Sequence, residues 1–275
     1  ALRALEDAGI AAEDITHVLT ATCTPDYLCP STACIISGNI GSHGAMAFDL
    51  NAACTGFVYG LDMAYGILAA KPGAKVLLVG SEAFTRRLNW EDRTTCILFG
   101  DGAAAAVLTN GEAGAPKRCL PSAPRLRDVR CGADGRQYPL LTVGGGTSRN
   151  YKPGDPIQND FYLQMQGREV FKQAVRSLST VCSELLEGNG LTLEDIDLFI
   201  PHQANLRIIE AVGDRLKLGS EKIFVNLDEY GNTSAASIPL GIGDACAQGR
   251  IRPGSRVLLS AFGGGFTWGA ALLEF

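Results

Sequence analysis

The sequence predicts a layered α/β fold made of two copies of one unit. Helical and strand patterns alternate along the chain, which favours largely parallel sheets covered by helices. Segments early in the chain match later segments at one constant spacing of 181 residues, as expected of an internal duplication. The length of 275 residues suits either one large domain or two fused units, and the repeat favours two units.

Two matched pairs of segments establish the repeat. The letters LEDAGI at 5–10, followed by EDI, recur as LEGNGL at 186–191, again followed by EDI; both predict a helix end, a glycine cap and the start of a strand. The letters KPGAKVLL at 71–78 recur as RPGSRVLL at 252–259, a turn that leads into a buried strand. At the same spacing Asn51 matches Asn232 and Cys54 matches Ala235, so equivalent turns occupy equivalent places.

The individual elements follow from the apolar pattern. Apolar residues recur with the helical period from Cys54 to the Pro72-Gly73 turn, which predicts a helix that begins at or near the cysteine. The same period predicts a second helix across 170–185. Strands are predicted at the short apolar runs 18–21, 45–50, 76–80, 198–200, 224–227 and 257–261. The Gly-, Pro- and Arg-rich stretch 110–156 is predicted to connect the halves and to carry a strand or two.

Composition argues against several classes of protein. The formal net charge is −5 and no block of Lys and Arg occurs, which argues against a nucleic-acid-binding surface. Apolar runs fall far short of the roughly 18 residues that cross a bilayer, and the first residues mix charges with apolar positions, unlike a secretory signal. Nine scattered cysteines without a C-x-x-C pair fit reduced thiols, so we expect a cytoplasmic protein.

Glycine-rich and cysteine-rich pieces give little support for a phosphate or metal site. The triplets at 100–102, 144–146 and 263–265 lack the spacing of a phosphate-binding loop, and turns are the better interpretation of the first two. Cys23, Cys29 and Cys34 with His43 lack the paired spacing of zinc ligands, so we expect buried thiols and no metal.

Cys54 differs from the other cysteines because it lies at a predicted turn from strand to helix. The amides and dipole at a helix N-terminus stabilise a thiolate, whose ordinary pKa is about 8.5. We therefore expect an exposed, activated nucleophile, although a small buried packing residue fits the local sequence equally well.

Two polar residues follow predicted strands or turns in the second half. His202 comes directly after the apolar strand at 198–201 and opens a helix through 203–205, which is where open α/β folds place ligand-facing groups. A helix-capping or buried structural histidine is an equal alternative. Asn232 alone is typical of a turn or helix cap, but it opens the turn that matches the Cys54 turn.

Four motifs taken together resemble the thiolase-fold condensing enzymes, specifically the 3-oxoacyl-(acyl-carrier-protein) synthase III family. They are DLNAACTGF at 49–57, PHQANLR at 201–207, GNTSAAS at 231–237 and FGGGFTWG at 262–269, in the family's order. The resemblance covers residues 1–275 and implies a duplicated αβαβα fold of five layers. Its first half would be 1–110, its connector 111–156 and its second half 157–275.

The resemblance also implies an activity. In this family the cysteine takes an acyl group from acyl-CoA as a thioester, and the histidine and asparagine promote decarboxylation of a malonyl thioester on acyl carrier protein. Carried over, these residues are Cys54, His202 and Asn232, with an oxyanion hole formed by the amides of Cys54 and Gly264. Preorganised neutral donors suit the charge that develops on the carbonyl oxygen. No permanently bound cofactor is implied; acyl-CoA is a substrate.

Related families differ at these positions. Elongating synthases use a second histidine where this chain has Asn232, and thiolases carry a second cysteine where this chain has Gly-Gly-Gly. Plant-type polyketide synthases share the Cys-His-Asn set, but the GGGFTWG ending is more similar to synthase III. The family's CoA-contacting positions that are matched here are Arg93, Phe171, Asn205 and Arg207.

The resemblance implies two protein partners, an acidic acyl carrier protein and a second copy of the chain. A carrier surface would include Lys172, Arg207, Arg215 and Lys217, although an ordinary solvated helix face is the favoured interpretation of Arg215 and Lys217. In acetyl-preferring relatives a phenylalanine at the position of Cys29 closes the partner's acyl pocket. We expect a roomier pocket here, bounded by Phe84 and Phe99, that accepts primers longer than acetyl.

Typical members have a further segment before the position of residue 1, with a first strand and the Trp and Arg that hold the CoA adenine. We therefore expect the first copy of the unit to lack its beginning, with weaker CoA binding. Alternative functions are an acyltransferase or specialised-metabolite synthase of the same fold, or a non-catalytic acyl- or carrier-binding scaffold. The presence of Cys54, His202 and Asn232 argues against the scaffold.

Overall fold

The computed structural model describes residues 1–111, 123–145 and 159–275, so part of the predicted connector lies outside the described residues. The strands in these ranges are β1 (His17–Ala21), β2 (Met46–Leu50), β3 (Lys75–Ala83), β4 (Asp101–Thr109), β5 (Arg125–Ala133), β6 (Leu141–Val143), β7 (Leu163–Met165), β8 (Leu198–Pro201), β9 (Arg256–Gly263) and β10 (Thr267–Glu274). The helices are α1 (Leu2–Ala8), α2 (Thr32–Ile40), α3 (Gly56–Ala70), α4 (Gly167–Gly188), α5 (Leu206–Leu216), α6 (Leu227–Tyr230) and α7 (Ser237–Ala247).

Two mixed sheets form the framework. In the first sheet the order is β2-β1-β3-β4; β1 runs parallel to β2 and β3, and β4 is antiparallel to β3. In the second sheet the order is β5-β10-β9-β8; β8 and β9 are parallel, and β10 is antiparallel to both of its neighbours. The predicted strands at 18–21, 45–50, 76–80, 198–200 and 257–261 are therefore confirmed, and β5 and β6 lie in the predicted connector.

The predicted strand at 224–227 is wrong. Ile223 makes only an isolated parallel bridge to Phe199, and the chain enters α6 at Leu227. The backbone N–H of Asn226, which a strand would pair with a neighbouring strand, donates instead to Oε1 of Gln203 at 3.1 Å. A buried side chain therefore satisfies this donor and ends the sheet at that edge.

Five layers follow from the apolar clusters. The central layer contains α3 and α7, whose buried side chains pack between β1 and β3 on one side and β8, β9 and β10 on the other. Helices α4 and α5 cover the outer face of the second sheet. Helices α1 and α2 cover the outer face of the first sheet. This αβαβα order is the predicted one.

The central helix α3 begins two residues after Cys54, as the apolar period predicts. The segment Ala53–Ala70 is long and apolar enough to cross a membrane by length and composition alone, but half of it is buried inside the protein. Its Gly60 lies against the first sheet so closely that a Cβ there would clash with Cδ1 of Leu78. The helix is therefore apolar because it packs between two sheets.

Elements of the two halves recur at the spacing that the sequence shows. Strand β3 begins at Lys75 and β9 at Arg256, and each half has a short 3-10 turn before its central helix, at Ala53–Thr55 and at Ser234–Ala236. Ala53 and Ser234 open these turns with the same left-handed φ of 49°. The two turns pack against each other in the centre of the molecule.

Candidate active site

Cys54 lies in the turn between β2 and α3. The left-handed residue Ala53 bends the chain sharply, and Oδ1 of Asn51 accepts a hydrogen bond from the Ala53 N–H at 3.3 Å. The hydroxyl of Thr267 donates to the carbonyl of Ala52 at 2.9 Å. Gly263 lies so close that a Cβ there would be 2.6 Å from the Cys54 nitrogen. Both halves therefore hold the cysteine turn in place.

The expected exposure of Cys54 is wrong. Only 8% of the residue is exposed, and burial raises the pKa of its thiol to about 12. The Ser234 side chain lowers this pKa and the charge of Glu82 raises it, but burial has the largest effect. Desolvation outweighs the helix N-terminus because a charged sulfur in a dry site loses its hydration. The resting residue is consequently a thiol.

His202 follows β8 directly, as the sequence predicts. Its backbone N–H donates to the carbonyl of Ser260 at 2.7 Å, which fixes it at the end of the second sheet. Helix α5 begins later than predicted, at Leu206, with Asn205 as its N-cap. Nδ1 of His202 lies 2.6 Å from the Ser237 hydroxyl, whereas buried Nε2 has no hydrogen-bond partner among the described residues. Burial lowers the pKa of this histidine to about 3, so its ring is neutral.

Asn232 is held by both its backbone and its side chain. Its N–H donates to the carbonyl of Leu98 at 2.8 Å, and its carbonyl accepts from the N–H of Gly100 at 3.0 Å. Oδ1 accepts from the Ser234 N–H at 2.9 Å, which repeats the contact between Asn51 and Ala53 in the first half. Because Oδ1 is used in this way, the amide nitrogen is the side chain's available donor.

The second-half turn contacts all three predicted residues. The backbone N–H of Ser234 donates to Oδ1 of Asn232, and the Ser234 side chain lowers the pKa of the Cys54 thiol. The hydroxyl of Ser237, at the start of α7, lies against His202. The structure therefore brings the predicted nucleophile and the two predicted donors around one turn.

Sequence reasoning missed a buried carboxylate in this site. Glu82, near the end of β3, is 4% exposed and hydrogen-bonds the hydroxyl of Ser234 at 3.0 Å. Burial raises the pKa of Glu82, while hydrogen bonds from Thr24, Cys23 and Ser234 lower it. Its position could have been noticed, because the carboxyl ends of parallel strands are where α/β sheets place ligand-facing groups.

An apolar cluster adjoins the site. Its buried members are Phe84, Leu88 and Leu163. The ring centroids of Phe84 and Phe99 are 5.3 Å apart, so the two phenylalanines predicted to bound the acyl pocket lie next to each other. The other partly buried residues packed on the cluster are Cys23, Cys96, Leu141, Val143 and Met165. Cys29 is exposed on the single chain and is not part of this cluster.

The predicted CoA and oxyanion positions lie in different surroundings. Arg93 and Arg207 are exposed, and Phe171 is 37% exposed. Oδ1 of Asn205 accepts from the N–H of Arg207 at 2.9 Å, so this asparagine caps α5. Gly264 follows the residue that lies against the Cys54 nitrogen, and a Cβ on Gly264 would be 3.1 Å from the carbonyl oxygen of Leu141.

The predicted carrier-binding residues do not all lie close together. Lys172 is exposed and pairs with Glu169 at 2.9 Å. Arg207 lies in the first turn of α5, whereas Arg215 is in the last turn and Lys217 is its C-cap. At about 1.5 Å per residue, Arg215 and Lys217 are about 12 and about 15 Å along the axis from Arg207.

The sequence is similar to one enzyme family over both halves. The family described as 3-oxoacyl-[acyl-carrier-protein (ACP)] synthase III matches residues 48–123, and its C-terminal part matches residues 186–275. The beta-ketoacyl-[acyl-carrier-protein] synthase III of Nitratidesulfovibrio vulgaris (strain Miyazaki F) is 61% identical over 272 residues, which are 99% of this chain and 80% of that protein. The protein of the same name from Oleidesulfovibrio alaskensis is 55% identical over 275 residues, 100% of this chain and 82% of that protein.

Solved structures show the same similarity. The 3-oxoacyl-[acyl-carrier-protein] synthase III of Aquifex aeolicus matches with a TM-score of 0.86 and 41% identity, over 98% of this chain and 80% of that one. The priming beta-ketosynthase of the R1128 polyketide biosynthetic pathway matches with a TM-score of 0.86 and 33% identity, over 99% of this chain and 79% of that one.

Proposed function

Because the chain belongs to the 3-oxoacyl-(acyl-carrier-protein) synthase III family, a family of condensing acyltransferases with the thiolase fold, we propose that Cys54, His202 and Asn232 carry out its reaction. An acyl group passes from acyl-CoA to the sulfur of Cys54. A malonyl group on acyl carrier protein then loses CO2, and the resulting carbanion attacks the acyl thioester. The products are 3-oxoacyl carrier protein, CoA and CO2.

One observation supports this assignment most strongly. The Ser234–Ala236 turn packs against the turn that contains Cys54 and donates a backbone hydrogen bond to Asn232, and Ser237, the next residue, lies against the imidazole of His202. A covalent acyl enzyme divides the condensation into two easier steps, which requires that nucleophile and donors share one site. The Cys54 sulfur is the group that forms the thioester.

His202 and Asn232 stabilise the enolate that decarboxylation produces. Nδ1 of His202 lies 2.6 Å from the Ser237 hydroxyl, and Nε2 has no partner among the described residues. The donor role that we propose for Nε2 requires the Ser237 hydroxyl to donate to Nδ1, so that the ring proton is on Nε2. The Asn232 amide nitrogen is the second donor. Both groups are neutral and buried. Their hydrogen bonds to the malonyl thioester oxygen therefore become stronger as negative charge develops on that oxygen.

The amides of Cys54 and Gly264 form the oxyanion hole for the acyl thioester carbonyl. The apolar cluster around Phe84 and Phe99 receives the acyl chain of the primer. Small thiols, Cys23 and Cys96, form part of its wall, which supports a pocket that accepts primers longer than acetyl.

The surface residues have roles in substrate binding. Arg93, Phe171, Asn205 and Arg207 contact CoA, and the exposed Lys172 with Arg207 receives the acidic carrier protein. The exposed segment at Cys29 meets a second copy of the chain, in a homodimer. The duplicated units are 1–110 and 157–275.

Mass spectrometry and CO2 release test the assignment. Incubation with acyl-CoA should add the acyl mass to the peptide that contains Cys54, and malonyl carrier protein should then yield CO2. Cys54→Ala should remove the adduct, with Cys246→Ala as a matched control outside the site. Acyl labelling that persists in Cys54→Ala would refute the assignment of Cys54 as the nucleophile. An adduct that forms without CO2 release would indicate an acyltransferase.

A further inference from the structure

One buried charged group has no role in the proposed reaction. Glu82 is buried, and among the ion pairs of the described ranges none gives its carboxylate a Lys or Arg partner. Its oxygens accept hydrogen bonds from Oγ1 of Thr24 at 2.7 Å, from the N–H of Cys23 at 3.1 Å and from Oγ of Ser234 at 3.0 Å. Because an ionised carboxylate only accepts, it can satisfy donors on two sides at once. Glu82 therefore connects the segment after β1 with the turn that opens at Ser234.

The internal repeat shows that this contact is not a general property of the fold. At the spacing of 181 residues, Glu82 matches Gly263 and Ser234 matches Ala53. Gly263 lies against Ala53, because a Cβ on this glycine would be 3.0 Å from Cβ of Ala53. Each half thus packs the end of a central strand against the first residue of the other half's turn. Only the contact between Glu82 and Ser234 is a hydrogen bond, and it is on the turn next to Asn232.

The backbone of Ser234 requires such a contact. Its φ of 49° lies in the left-handed region, which a residue other than glycine keeps only when its surroundings hold it there. The hydroxyl of Ser234 has one hydrogen, which it donates to Oε1 of Glu82. Both residues are buried, so bulk water does not compete for this bond. The carboxylate is therefore a fixed anchor for the turn.

The backbone of Ser234 also sets the orientation of the Asn232 amide. Among the described residues, the Asn232 side chain has one hydrogen bond, in which Oδ1 accepts from the N–H of Ser234 at 2.9 Å. An N–H donor selects the oxygen of an amide, so Nδ2 is the end left for a substrate oxygen. The equivalent contact in the first half, between Asn51 and the N–H of Ala53, is longer at 3.3 Å. The amide is held more closely in the half where a carboxylate anchors the turn.

We propose that Glu82 is a positioning residue for decarboxylation, an inference that rests on Asn232 being a donor of the proposed function. Glu82 holds the hydroxyl of Ser234, and the N–H of Ser234 holds Oδ1 of Asn232. Nδ2 of Asn232 then donates to the malonyl thioester oxygen as negative charge develops there. Glu82 does not touch the substrate. Its effect is that the donor is already in place, so that no reorganisation is needed during the reaction.

The experiment starts from acylated protein, so that the acylation step does not enter the measured rate. The protein is acylated with acetyl-CoA and freed of unreacted acetyl-CoA, and the adduct on Cys54 is quantified by mass spectrometry. Malonyl carrier protein is then added at saturation, and CO2 release per acylated site is followed through one turnover. Asn232→Ala sets the scale, because loss of one donor to a developing oxyanion slows a reaction roughly 100- to 1000-fold.

Glu82→Met keeps an unbranched side chain of similar length and removes the acceptor. CO2 release should fall about 10-fold, less than in Asn232→Ala, because the donor is loosened and not removed. Glu82→Gln should restore the rate to within about 3-fold of the parent, since Oε1 of glutamine can still accept from Ser234. A loss caused by the missing charge would instead be equal in the two variants.

Ser234→Ala removes the other partner of the same hydrogen bond. Alanine is compatible with this backbone, because Ala53 has the same φ of 49° at the equivalent position. CO2 release should fall as in Glu82→Met, and the double variant should be no slower than either single variant. Ser179→Ala is the matched control, because it removes a buried hydroxyl that donates to the carbonyl of Val175 within α4. It should leave CO2 release unchanged.

A double-mutant cycle separates positioning from a merely structural effect. In the Asn232→Ala background, Glu82→Met should cause no further loss of CO2 release, because the residue that Glu82 positions is absent. Three results would overturn the proposal: the same fold-loss in both backgrounds, Glu82→Gln as slow as Glu82→Met, or Glu82→Met at the parent rate. Thermal melting confirms that each variant is folded, and Ser234→Ala provides the same comparison if Glu82→Met does not fold.

Failure of the proposed function is distinguishable from failure of this inference. If Asn232 is not a donor, Asn232→Ala itself should release CO2 at the parent rate. If only the positioning role is wrong, Asn232→Ala should remain slow while Glu82→Met matches the parent.

Discussion

The hydroxyl of Ser237 lies 2.6 Å from Nδ1 of His202, and the other ring nitrogen, Nε2, is buried without a partner among the described residues. A donor on Nδ1 determines which nitrogen carries the proton, because a neutral imidazole has only one N–H. The orientation of this single hydroxyl therefore decides whether His202 can donate to a substrate oxygen.

The first prediction concerns Ser237→Ala. Without the hydroxyl, His202 loses the partner that holds its proton on Nε2, so decarboxylation should fall about 10- to 100-fold, in the range of a lost donor to developing charge. Acylation of Cys54 should continue at close to the parent rate. The comparison of CO2 release with adduct formation checks this, and an equal loss in both steps would contradict the role assigned to Ser237.

The second prediction concerns stability in acid. His202 has a folded pKa of about 3, below its ordinary value of 6.5, so the unfolded chain binds more protons between these limits. The free energy of unfolding is therefore highest above pH 6.5, where His202 is neutral in both the folded and the unfolded chain. It decreases as the pH falls toward 3. Within this window, each pH unit changes the free energy of unfolding by at most about 1.4 kcal/mol.

His202→Gln should consequently show a weaker acid dependence. Between pH 6.5 and pH 5 the parent should lose up to about 2 kcal/mol more unfolding free energy than the variant. Glu82, whose pKa is raised, has the opposite dependence, but it is present in both proteins and cancels in the comparison. Urea unfolding at several pH values measures the slopes, with the exposed His43→Gln as control. Parallel slopes for parent and His202→Gln would contradict the prediction.

The third prediction concerns primer length. Cys96 packs against the cluster that contains Phe84 and Phe99. Cys96→Phe should fill this space and slow acylation by octanoyl-CoA at least 10-fold relative to acetyl-CoA, because overpacking an apolar site displaces the longer chain. Cys96→Ser keeps the volume and should preserve the preference. Parallel loss with both primers in Cys96→Phe would show that the cluster does not hold the acyl chain.

The sequence predicts those features of this protein that depend on local pattern. The apolar period predicts helix α3 and the strands β1 and β3. Glycine positions and internal repetition predict the second-half turn that matches the Cys54 turn. The two-fold repeat also draws attention to Asn232, because this residue opens the turn that matches the Cys54 turn. These features require only neighbours in sequence or a fixed spacing.

Features that depend on tertiary contact could not be predicted. The raised pKa of Cys54 comes from burial by both halves, and the contact between Glu82 and Ser234 joins residues 152 positions apart. The missing strand at 224–227 has the same origin, since the Gln203 side chain satisfies the Asn226 N–H only after folding. The local propensity of a segment does not show which distant residues will contact it in the folded protein.

The last prediction concerns the glycine that lies against the nucleophile. A Cβ at Gly263 would be 2.6 Å from the backbone nitrogen of Cys54 and 3.0 Å from Cβ of Ala53, and neither a backbone atom nor a Cβ can yield as the far end of a flexible side chain would. Gly263→Ala should therefore displace the cysteine turn and reduce acylation about 100-fold, since a shift of about 1 Å at reacting atoms has that effect. Gly243→Ala is the control, because a Cβ there meets nothing within 4 Å and alanine favours the helix α7 by roughly 0.5–1 kcal/mol. Adduct formation and thermal melting distinguish the two variants: full acylation in Gly263→Ala would mean that the turn can move without loss of the nucleophile's geometry.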